Sequence, residues 1–147
     1  MNGSQTFPKL SQQSLEEHGL IHFYLDQLER ARVSLETSDV DQELMRTIAA
    51  RIDSFKERLD EHFASEEDGG LLQGLQDALP QAESDVKRIR AQHTRMREAL
   101  DAVRAIARRG DPSEAKALET ELGKMLGMIR EHEREEDALV KRALKQA

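Results

Sequence analysis

Apolar side chains recur at alternating steps of three and four residues through four long stretches of this chain. That spacing lines one face of an α-helix; a strand would need a repeat of two. It predicts four amphipathic helices that must bury their stripes against one another. The first, over residues 11–36, carries Leu15, His18, Ile21 or His22, Leu25, Leu28, Ala31 and Leu35. The second, over 40–68, carries Ile48, Ile52, Phe55, Leu59, His62 and Glu66. The third, over 81–109, carries Val86, Ile89, His93, Met96, Leu100 and Val103. The fourth, from Asp111 onward, carries Leu118, Leu122, Met125, Ile129, His132, Glu136 and Leu139.

Start and stop signals agree with these limits. Ser14 and Glu17 have capping-box spacing, so the first helix is expected to begin at Ser11 or Ser14. It breaks at Thr37, Ser38 and Asp39; the second ends at Gly69 and Gly70 and the third at Gly110. The fourth opens with Asp111 as cap, Pro112 in the first turn and Glu114 behind it. Residues 71–79 are expected to add a short turn or helix before Pro80. Short first and third connections predict an all-α, up-down-up-down four-helix bundle over residues 11–147. Residues 1–10 have no periodicity and are expected to form a flexible arm. Gly123 and Gly127 form a GxxxG pattern, which predicts close helix packing.

Composition narrows the function. Aromatic residues are 3% of the 147, so the core must be aliphatic. The absence of Cys excludes disulfides, thiolate metal sites and a Cys nucleophile. Twenty-two basic against 29 acidic residues, a net charge of −7, argue against a nucleic-acid partner. No apolar run approaches the ~20 residues that span a bilayer. The opening MNGSQTFPKL has no apolar signal region, so a cytoplasmic protein without a membrane partner is expected.

The informative anomaly is polarity on the buried stripes, at His18, His62, Glu66, His93, His132 and Glu136. A buried carboxylate without a partner costs several kcal/mol. His18 and His62 stand at comparable distances along the chain from the break between the first two helices, so antiparallel packing sets them at similar heights. His93 and His132 flank the break at Gly110 in the same way and are level with each other. The pattern also repeats. The separation of His132 from His62 equals that of Glu136 from Glu66, and His93 follows His18 at nearly the same interval. Two helical hairpins related by a pseudo-twofold axis would bring four imidazoles and two carboxylates to one centre. The carboxylates could bridge two cations, with the imidazoles as terminal ligands. Such a ligand set suits iron, manganese or zinc. The bland alternative is a metal-free hydrogen-bonded His/Glu network in a helical interaction protein. Glu67 and Asp137 stand next to the two Glu as rival ligands, or as solvated flanking charge. His22, one turn after His18, is either a further metal ligand or a partly exposed outer residue.

The segments EEHGLIHFYLDQLE, RLDEHFASEED, RAQHTRMREAL and IREHEREEDALV resemble the hemerythrin-like, or HHE cation-binding, family. The resemblance covers all four helices and keeps the order His, His-x-x-x-Glu, His, His-x-x-x-Glu. It implies a non-haem centre of two Fe ions with an oxo or hydroxo bridge in a four-helix bundle. Its terminal imidazoles would be His18, His62, His93 and His132, and its bridges Glu66 and Glu136. Oxygen-carrying members usually have a fifth His one turn after the third-helix His. Arg97 stands there, and His22 could take that part from the first helix. Those members also tend to have an Asp five residues after the last His, where Asp137 stands. Four His with two Glu is similar to the di-iron domain of bacterial iron–sulfur-cluster repair proteins, though the Cys-containing domain of those proteins is not in this sequence. Ferritin-like bundles use Glu-x-x-His, and no acid stands three residues before any of the five His.

The resemblance implies a protein that binds or senses O2 or another small diatomic ligand. The alternative is a di-iron redox protein that reduces nitric oxide or peroxide, or donates iron for cluster repair.

Overall fold

The computed structural model describes residues 6–146. They form five α-helices: α1 (Phe7–Thr37), α2 (Gln42–Asp68), α3 (Leu71–Ala78), α4 (Glu83–Arg109) and α5 (Ala115–Gln146). Single 3-10 turns lie at Pro80–Ala82 and Pro112–Glu114, and there is no strand among the described residues. α5 is the fourth helix of the sequence reading, and α3 is its short extra element.

The local signals act as their chemistry requires. The Asp41 carboxylate accepts the Leu44 N–H at 2.8 Å, satisfying a donor that the first turn of α2 leaves free. Asp111 accepts the Ser113 N–H at 3.0 Å. Gly70 (φ 103°) and Gly110 (φ 64°) adopt the left-handed conformation that ends a helix at little cost only for glycine.

The first helix starts earlier than the capping pattern suggests. Thr6 precedes it and Pro8 lies in its first turn, where a missing N–H costs nothing. Ser11 does not cap; its hydroxyl donates to the Phe7 carbonyl at 2.9 Å. Phe7 and Leu10 are drawn into helix because they pack on an apolar cluster. Residues 7–10 of the expected arm are therefore helical, and residues 1–5 of it lie outside the described residues. The buried line of α1 runs Ser11, Ser14, His18, Ile21, Leu25, Leu28. Leu15, expected inward, stands one residue off that line and is exposed. Every other residue placed on the four stripes is buried, with Ile21 rather than His22 facing in. The GxxxG expectation fails. A Cβ at Gly123 would touch only the Arg32 side chain, and one at Gly127 would meet nothing, because that residue faces solvent.

The long helices pack as a ring, α1 against α2 and α5, and α4 against α2 and α5. The core divides into two apolar clusters. One contains Ile21 to Leu35, Met45 to Phe63, Met96 to Ala107 and Leu118 to Ile129. The other joins α3 to Val86, Ile89, Leu139, Val140 and Ala143. Along α4 the clusters are separated at His93, and along α5 at His132 and Glu136. The polar residues thus form a layer between two apolar masses, and α3 closes the second.

Candidate metal centre

Each long helix delivers its polar residues to this layer because they occupy stripe positions that otherwise hold Leu, Ile or Met. His18, His62, His93, His132, Glu66 and Glu136 are all buried, each 4% exposed or less. Their inward atoms converge. Glu66 Oε2 lies 3.1 Å from His62 Nε2, and Glu66 Oε1 lies 3.0 Å from His93 Nε2. Glu136 Oε1 lies 3.0 Å from His18 Nε2, and Glu136 Oε2 lies 3.5 Å from His132 Nε2. The Ser14 hydroxyl donates to Glu136 Oε1 at 3.5 Å.

Two groups of four donors result, His18–His62–Glu66–Glu136 and Glu66–His93–His132–Glu136. Within each, the donor atoms lie within 4.8 Å of one another. Ligands about 2.1 Å from a common cation stand roughly 3–4 Å apart; the His–Glu contacts of 3.0 to 3.5 Å already have that spacing, so small side-chain shifts would seat an ion in each group. Both carboxylates belong to both groups.

The outer ring nitrogens are held as firmly as the inner ones are exposed to each other. His18 Nδ1 lies 3.0 Å from Asp137 Oδ1 and His62 Nδ1 lies 2.6 Å from Glu17 Oε1. His93 Nδ1 lies 2.9 Å from Glu67 Oε1 and His132 Nδ1 lies 2.7 Å from the Gln92 carbonyl oxygen. An Nδ1–H donated outward leaves a lone pair on Nε2 facing the centre. Imidazole lone pairs and carboxylate oxygens in such close contact repel unless positive charge stands between them. Both oxygens of Glu66, one of Glu136, His93 Nε2 and His132 Nε2 are buried with no hydrogen-bond partner. Buried orphans of this kind in an otherwise well-packed core mark a place for a cation.

Without a metal, protons supply that charge unevenly. Burial opposes a charge on His18, but the bond to Asp137 and the contacts with Glu136 and Glu66 outweigh it and push its pKa up to about 12. Burial likewise opposes protonation of His62, yet Glu17 and Glu66 raise it to about 9. Burial drives His132 down to about 3, against the pull of the Glu66 charge. Burial and the nearby Glu66 charge push Glu136 well above the carboxylate range. For Glu66, burial pushes the same way, but Glu136 and three imidazoles hold it well below. The two carboxylates thus divide one proton, as like charges at close range do.

Comparison with known families matches residues 11–144 to the Hemerythrin HHE cation binding domain. The chain belongs to that family. Comparison with curated proteins and with solved structures gives no match. Membership agrees with the His/Glu groups: this HHE domain has a cluster able to hold metal cations. No described helix is long and apolar enough to cross a membrane.

The structure gathers six of the seven sequence-derived site residues. His22 stands apart: its side chain is 62% exposed and its Nε2 lies 2.8 Å from the buried Glu133. It is in neither four-residue group. Arg97 lies 3.6 Å from Glu67 and over the Phe63 ring at 5.0 Å. Phe63 in turn stacks on His93, with ring centroids 4.1 Å apart. Glu67 and Asp137 turn their carboxylates to imidazole Nδ1 atoms. Sequence reasoning did not find the outer partners Glu17 and Gln92, nor this use of Glu67 and Asp137. A signal was present: Glu17 and Gln92 each directly precede a stripe His, and Glu67 and Asp137 each directly follow a stripe Glu.

Beside the centre, a cleft of about 560 Å³ opens along α1 and α2 and is lined by Glu17, Leu20, His62 and Ser65 among others.

Proposed function

We propose that this HHE domain holds two iron ions and binds or senses O2 or another small diatomic ligand. The observation that carries the reading is that two complete four-donor groups share both of their carboxylates. Glu66 and Glu136 would bridge, and His18 and His62 would hold one ion, His93 and His132 the other. Manganese or zinc would satisfy the same donors, and the redox chemistry of the proposal requires iron. When bound, the iron pair supplies the electrons and the open coordination position that a small oxidising ligand needs.

The protein's own contribution is preorganisation. The four outer acceptors fix each imidazole so that Nε2 presents its lone pair inward. The apolar residues one turn away, Ile21, Leu59, Ile89, Met96 and Ile129, are buried and shield the layer from bulk water. Phe63 fills the space beside His93 and His132.

The up-down-up-down course and the pseudo-twofold repeat belong to the same proposal. The ring of helix contacts supports them, as does the symmetry of the outer partners. Gln92 stands to Glu17 along the chain as His93 stands to His18, and Asp137 stands to Glu67 as Glu136 stands to Glu66. The outer partners therefore repeat in step with the stripe residues.

The test is metal analysis after purification without chelator, followed by absorption spectra of the ferrous protein cycled between air and vacuum. Two irons per chain and a reversible spectral change are expected. Multiple turnover of nitric oxide or peroxide with an electron donor would move the assignment to a di-iron redox protein. Iron release to an acceptor would move it to cluster repair. Failure to retain any metal would leave a helical interaction protein.

A further inference from the structure

The two four-donor groups share Glu66 and Glu136, but they differ in what stands behind their histidines. Behind His18 and His62 stand two carboxylates, Asp137 and Glu17, at 3.0 and 2.6 Å. Among the described residues, neither carboxylate forms an ion pair with Lys or Arg. Behind His93 stands Glu67, whose charge is offset by Arg97 at 3.6 Å. Behind His132 stands the neutral amide of Gln92, which donates its own N–H to Glu135, and Arg88 faces Glu135 at 3.4 Å.

A carboxylate that accepts the Nδ1 proton pushes electron density into the ring and makes Nε2 a stronger metal ligand. An amide oxygen does so less, because its hydrogen bond is not charge-assisted. A carboxylate compensated by a guanidinium also contributes less field at the metal. Both differences point the same way.

We infer that the two metal positions are unequal: once the protons that His18 and His62 must release are accounted for, the His18–His62 position holds a divalent cation more tightly, and the His93–His132 position holds its ion less tightly and exchanges it. The inference rests on the dinuclear reading above. It goes further by assigning the inequality to four residues outside the ligand set, Glu17, Asp137, Gln92 and Arg97. Partners of this kind change metal affinity about 10–100-fold each, so the two constants should differ by at least about tenfold.

The experiment titrates the metal-free, 15N-labelled full chain with Zn2+. Histidine ring nitrogens are followed by long-range 1H–15N correlation, and a chelator competition gives the two constants. With the pH raised stepwise and the constants corrected for the protons released, the His18 and His62 signals are expected to shift at one equivalent, and those of His93 and His132 are expected to follow at the second. Glu17→Gln should lower the first constant about 10–100-fold and leave the second near its original value. Arg97→Gln should raise the second. Both side chains are partly exposed, at 38% each, so the fold should survive either change, and unfolding curves of each variant check this. Four imidazoles shifting together, His93 and His132 shifting first, or a first constant indifferent to Glu17→Gln would each overturn the inference while leaving two bound ions. Binding of fewer than two Zn2+ would overturn the dinuclear reading itself.

Discussion

Replacing Glu66 by Gln tests the shared-carboxylate geometry directly. The substitution keeps the size of a side chain that is 1% exposed, so the packing around it changes little. It removes a charge that faces both groups, through Oε2 at 3.1 Å from His62 and Oε1 at 3.0 Å from His93. A contact to an ionised partner is worth about 1.5–3 kcal/mol, or roughly ten- to hundredfold in affinity for each ion. Both constants should therefore fall, and their product should fall about 10²–10⁴-fold. His93→Ala serves as the contrast, because His93 belongs to one group only and should weaken one step. The assay is calorimetric titration with Zn2+, backed by elemental analysis after gel filtration. If Glu66→Gln weakened a single step, or neither, the carboxylate would not be shared and the proposed bridging would be refuted.

Other predictions concern pH, packing and His22. His62 is raised to about 9 in the metal-free fold, so its contribution to stability is complete below its unfolded pKa near 6.5 and is lost as pH rises through about 9. His132 is lowered to about 3, so its contribution is present above pH ~6.5 and is lost as pH falls towards 3. Thermal unfolding of the metal-free protein should therefore weaken on both sides of neutrality, and a melting temperature that kept rising to pH ~10 would contradict the His62 assignment. Metal affinity should increase with pH through about 9 and beyond, because the ion displaces protons from both His62 and His18; potentiometric titration of the released protons measures this. Phe63→Ala empties a fully buried site beside His93 and should cost about 3–5 kcal/mol in urea unfolding; a loss below about 1 kcal/mol would mean that the layer collapses around the gap. His22→Ala should retain both ions, since the ring is mostly exposed and pairs with Glu133; loss of one ion on elemental analysis would make His22 a ligand.

Much of the fold and the candidate centre was legible in the sequence because both obey helical periodicity. The stripe from Ile48 to Glu66 holds every residue of its face in the core, and the same regularity singled out four His and two Glu as polar residues out of place. Periodicity failed where a long-range contact overrode a local signal. Ser11 and Ser14 look like caps, yet Phe7 and Leu10 gain more by packing under α3, so the helix runs through both serines. The outer partners were illegible for a related reason. Glu17, Gln92, Glu67 and Asp137 sit at stripe edges, where a charged residue is ordinarily solvated, and only the approach of a neighbouring helix turns each toward an imidazole.

The order of apolar and polar residues along the chain by itself determined the four long helices, the faces they bury and the level at which imidazole and carboxylate interrupt the core. Those properties depend on spacing within one helix, and spacing is written in the sequence. The tertiary structure decided that Glu66 and Glu136 each face two groups, that His22 turns outward to Glu133, and that unlike partners stand behind the four histidines. These depend on how far each helix is rotated and offset against its neighbours, which is set by packing among all of them together.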